Sequence, residues 1–83
     1  MSRFYGIIIR MYYNDHNPPH FHAEYQGQKV EYDIQTMEIL AGSISKKAHN
    51  LVVEWANIHR EELMNNWIKA SVMIKLEKIK PLS

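Results

Sequence analysis

The chain has 83 residues and no cysteine, so a single domain spanning 1–83 is expected, and disulfides and thiolate metal sites are excluded. A chain of this size buries roughly 60–65% of its unfolded surface, which allows one thin core and disfavours a deep cavity within one copy. The formal net charge is +1, with three Lys/Arg against five Asp/Glu in residues 1–42 and seven against four in 43–83, so the second half is the better candidate to meet phosphate.

No disulfide chemistry and no signal-peptide pattern point to the cytoplasm. The apolar run "GIIIRMYY" is interrupted by Arg10 and is too short to span a bilayer. Residues 5–13 alternate, with Tyr5, Ile7, Ile9, Met11 and Tyr13 on one face, and read as a first strand. "NDHNPP" must then be a loop, because each proline lacks an amide donor and biases its predecessor to extended geometry. Residues 20–26 and 29–34 read as a hairpin around Gln26-Gly27, where glycine accepts positive φ. The expected register sets Ala23 against Val30, Phe21 against Tyr32, His20 against Asp33, His22 against Glu31 and Glu24 against Lys29. Shifting the turn by one residue would oppose Glu24 to Glu31, two like charges.

Residues 37–41 suit a short fourth strand or an extended segment. Ser43 or Ser45 can cap the helix that follows. From Lys46 to about Met73 there is no Gly or Pro, and Ala48, Val52, Trp55, Ala56, His59, Leu63, Trp67 and Ala70 make an apolar stripe. That run fits one helix of about 25 residues, or two with a bend near Asn65-Asn66. His59 reads as a satisfied core group, and His49 as exposed. "IKLEKIKP" alternates again and suggests an edge strand that Pro81 stops. The expected fold is α+β: an antiparallel sheet of three to five strands, with one long C-terminal helix, straight or bent, on one face.

Chemistry concentrates in "NDHNPPHFH". His20 and His22 are two apart on a strand, so both point to one side, away from the helix. Asp15 and His16 can fold back over them from the loop, and Glu31 and Asp33 are cross-strand neighbours. His16, His20, His22 and Asp33 form a candidate ligand set for zinc or a similar divalent cation. Asp15, His16, His20 and His22 form a candidate acid–base set suited to phosphodiester cleavage. The plain alternative is a polar sheet face with a good turn. Two consecutive prolines favour the functional readings, since they would preorganise the loop. No phosphate loop, nucleophile elbow or glycine-rich nucleotide fingerprint occurs.

The segments "GIIIRMYYNDHNPPHFHAEYQG", "VEYDIQTMEILAG" and "LVVEWANIHREELMNNW" together resemble a small prokaryotic family catalogued as a domain of unknown function. Its Asn-Asp-His-x-Pro-Pro-His-x-His signature falls here on Asn14, Asp15, His16, Pro18, Pro19, His20 and His22. The resemblance implies a compact α+β protein, often encoded beside a second small protein in a toxin–antitoxin-like arrangement. The expectation is therefore a cytoplasmic, toxin-like member of a two-component module. It would act through the histidine surface, with RNA as a candidate target and a small protein as partner. The rivals are a non-catalytic protein-binding module and a metal-binding domain without turnover.

Overall fold

A computed structural model of the chain describes residues 1–82. Two tight hairpins organise its first half. β1 (Ser2–Phe4) and β2 (Ile7–Arg10) are joined by Tyr5-Gly6, with φ of 49° and 79°. β3 (His20–Tyr25) and β4 (Gln28–Asp33) are joined by Gln26-Gly27, with φ of 48° and 80°. Two successive positive φ values suit the right-handed twist of the flanking strands. The single strand expected over residues 5–13 is thus corrected: the chain reverses at Tyr5-Gly6 and its second strand ends at Arg10.

β5 (Ile39–Gly42) completes a five-stranded antiparallel sheet in the order β1-β2-β3-β4-β5. Between β3 and β4 every expected pair forms, including His20 with Asp33 and His22 with Glu31. Gly42 lies so close to β4 that a Cβ there would stand 2.2 Å from the Lys29 carbonyl oxygen.

The core sits between one sheet face and the helices. Phe4, Ile7, Ile9, Phe21, Ala23 and Tyr32 meet Val52, Trp55 and Leu63 there. The Trp55 ring packs 5.3 Å from Phe4 and 6.1 Å from Phe21, centroid to centroid. Ser45 caps the first helix by accepting from the Ala48 amide.

The expected single long helix is not what forms. The segment is two short helices, α1 (Lys46–Ile58) and α2 (Arg60–Ser71), and the break falls at His59, not near Asn65-Asn66. The break lets both halves bury their stripe: Val52 and Trp55 of α1 and Leu63, Trp67 and Ala70 of α2 enter one core, which a straight helix of about 39 Å over a sheet of such short strands would not achieve. His59 leaves helical geometry at φ −111° and ψ 23°, and its Nδ1 pairs with Glu62. The apolar stripe still faces inward on both helices.

Asn66 is fully buried and clamps the C-terminal tail. Its side-chain amide donates to the Glu77 carbonyl and its oxygen accepts from the Glu77 amide, both at 2.9 Å. Trp55 Nε1–H donates to the Lys80 carbonyl, and the Ile79 amide donates to the Met1 carbonyl. The tail therefore lies beside β1, but residues 74–80 form no edge strand, because the Asn66 and Trp55 side chains and isolated backbone bonds, not a ladder, hold them. His49, expected in solvent, is half-buried and bonds the Tyr32 hydroxyl at 2.8 Å. Burial pushes that phenol up to about 12. Among the described residues, no helix is long and apolar enough to cross a membrane.

Candidate functional site

The loop between β2 and β3 is tied down at both ends. The Asn14 amide donates to the Ala70 carbonyl of α2, and the Pro19 carbonyl accepts from the Ile34 amide. The Asn17-Pro18 peptide is cis. Asp15 uses one oxygen locally: its Oδ1 accepts from the His16 amide at 2.9 Å. Its Oδ2 is left to face the strand.

Oδ2 stands 3.0 Å from His20 Nε2 and 3.5 Å from His22 Nε2. The three ligand atoms lie within 4.8 Å of one another. Glu31 adds Oε1 at 3.4 Å from His20 Nε2, reached across the β3–β4 ladder. The loop and two strands thus converge two imidazoles and two carboxylates on one spot.

The Pro18 carbonyl fixes the tautomer of His20. It lies 2.8 Å from Nδ1 and can only accept, so Nδ1 carries the proton. In the neutral ring the Nε2 lone pair then faces Asp15 and Glu31. A lone pair aimed at two carboxylates is repulsive unless a proton or a cation sits between them. His22 Nε2 is buried and makes no hydrogen bond, and at 3.5 Å its contact with Asp15 is a long ion pair at most. A buried polar atom without a partner costs about 1–3 kcal/mol.

Burial alone would push the Asp15 carboxyl up. The His16 amide, the charge of His20 and the ring nitrogens of His22 and His20 beside it outweigh that, and hold the group below the usual carboxylate range. Asp15 therefore stays an anion and an acceptor at neutral pH.

The remaining expected residues lie differently. The His16 side chain is 90% exposed, and its Nδ1 touches Asp15 Oδ1, the oxygen turned away from the cluster. Asp33 Oδ1 accepts from the Gln35 and Thr36 amides at 2.7 and 3.1 Å and so shapes the turn after β4. The structure brings Asp15, His20 and His22 together and spends Asp33 on that turn. His20 also departs from the open sheet face expected for it. The Trp67 ring of α2 lies 5.2 Å from its own, and the side chain is 3% exposed. His22 stays half-exposed, edge-on to Tyr12 at 4.6 Å.

Trp67, Tyr12 and the Pro18 carbonyl were not foreseen as parts of the site. For Tyr12, alternation with Arg10 was a usable signal. For Trp67, helical periodicity indicated only burial.

A family model described as a domain of unknown function, DUF4160, matches residues 6–68, which include the whole cluster and both helices up to Ile68. The chain belongs to the DUF4160 family. Searches of curated proteins and of solved structures found no match.

Proposed function

We propose that this DUF4160 domain binds a divalent cation of the zinc class through Asp15 Oδ2, His20 Nε2 and His22 Nε2, with Glu31 within reach as a fourth ligand. One observation carries the reading: the unpartnered, buried Nε2 of His22, turned towards the same carboxylate oxygen that faces His20 Nε2. The ligand types suit zinc. In a tetrahedral site with bonds of about 2.0–2.1 Å the ligand atoms stand roughly 3.4 Å apart; Asp15 Oδ2 stands 3.0 and 3.5 Å from the two ring nitrogens, and all three atoms lie within 4.8 Å of one another. The Pro18 carbonyl does for His20 what outer partners do for most ligating histidines: it orients the ring and raises its basicity.

With Asp15, His20 and His22 alone as ligands, a fourth position would be left for Glu31 or for a small ligand. A toxin-like role in a two-component module, as the resemblance implies, would act through this centre. Its test is growth with and without the neighbouring small protein, using His22→Ala as control.

The cation itself is tested by calorimetry with zinc on metal-free protein. Binding with a Kd of micromolar or tighter is expected, retained in His16→Ala and lost in His22→Ala and Asp15→Asn. Absence of binding to a folded wild-type protein, or equal binding by His22→Ala, would overturn the reading.

A further inference from the structure

The sheet face that carries His22 also carries a cationic groove. In the ladders Arg3 opposes Ile8 and Arg10 opposes His22, so Arg3, Ile8, Arg10 and His22 share one face. The tail runs alongside. Ile79 turns inward to 3% exposure, and its neighbours Lys78 and Lys80 are both exposed. Between strand and tail lies a groove of about 770 Å³, whose lining includes Arg3, Ile8, Arg10, Lys78 and Lys80.

Its electrostatics are one-sided. Burial first, and then the charges of Arg10, Lys78 and Arg3, push the Met1 ammonium at its wall below its ordinary value. Glu24 pairs with Arg10 Nε at 3.1 Å. The two terminal nitrogens of Arg10 make no hydrogen bond to the described residues. Ser2 Oγ, also at the wall, is buried without a partner.

The groove does not end at Arg10. A second depression shares Met1, Arg10 and Lys78 with it and continues to Tyr12 and Glu77. The Tyr12 ring touches His22, and Tyr12 is 49% exposed. The order along the surface is therefore Arg3 and Lys80, then Arg10 and Lys78, then Tyr12, then the Asp15–His20–His22 cluster.

We infer that this groove binds the phosphodiester backbone of single-stranded nucleic acid and lays it against the Asp15–His20–His22 centre. The backbone contact stands on the groove alone, whereas the function of the placement rests on the metal reading above. Cations strung along a track suit a repeating anion better than one free phosphate: Arg3, cross-strand from Ile8, and Arg10 lie in rows roughly 7 Å apart along the strands. The half-exposed Tyr12 at one end offers a face for an unstacked base, which a duplex does not present.

Fluorescence anisotropy with a labelled oligo-uridine 12-mer, on metal-free and on zinc-loaded protein, tests the proposal. Binding should weaken with salt at a log–log slope near −3, since four neutralised phosphates contribute about −0.7 each for single strands. The double variant Lys78→Glu/Lys80→Glu should lose at least tenfold in affinity with an unchanged melting temperature. Tyr12→Ala should lose about fivefold or more if a base stacks there. A duplex of the same sequence, inorganic phosphate and poly-glutamate should compete poorly.

Equal competition by poly-glutamate would point to an acidic protein instead and overturn the proposal. Indifference to the lysine reversals would overturn it too. The two readings fail separately. Oligonucleotide binding without zinc binding removes the centre and keeps the groove; zinc binding without oligonucleotide binding removes the groove alone.

Discussion

Asp15 divides its two carboxylate oxygens between two tasks: Oδ1 closes the loop onto the His16 amide, and Oδ2 faces both histidines. Its folded carboxyl is held below the usual range, so it stabilises the fold fully above its unfolded value near 4 and loses that contribution as pH falls through the folded value. In metal-free protein, the melting-temperature gap between wild type and Asp15→Asn should shrink on acidification below about pH 4. A gap that widens on acidification would contradict this assignment. His16→Ala should change stability by less than about 0.5 kcal/mol in urea unfolding, because its side chain is 90% exposed.

Among the elements, β3 and β4 were legible before any coordinates. Gln-Gly supplies the turn, strict alternation supplies the faces, and unlike charges decide between two registers. The β1–β2 hairpin was not, because Tyr5 occupies a positive φ that sterics disfavour for such a side chain, and Tyr-Gly reads as strand followed by a pause. The helix break at His59 carries no Gly or Pro to announce it; it shows only in the packing of both helices on one core. For the site, the two-residue spacing of His20 and His22 was enough to pair them. Choosing Asp15 over Asp33 needed knowledge of where each carboxylate finds amides. Gly42→Ala should cost about 1–3 kcal/mol in urea unfolding, since the new Cβ would meet backbone that cannot swing aside. Asn66→Ala, which frees the Glu77 backbone pair, should speed hydrogen exchange at Glu77 and Ile79 well before it affects β3.

Across the whole molecule, the helices cover one face of a thin sheet, while Trp67 and the tail reach the edge of the other, where His20 is buried and His22 is partly exposed. A ligand that binds only the folded chain then has a large share of a small total stability. Zinc at a hundred times its Kd should add about 2.7 kcal/mol, and so raise the melting temperature by roughly 10–20 °C in a domain of this size. Asp15→Asn and His22→Ala should lose that increment. The centre itself is tested most directly by diffraction at the zinc absorption edge from crystals grown with one equivalent of zinc. One strong anomalous peak should lie about 2.0–2.1 Å from His20 Nε2, His22 Nε2 and an Asp15 oxygen. A peak confined to His16, or none beside His22, would contradict it.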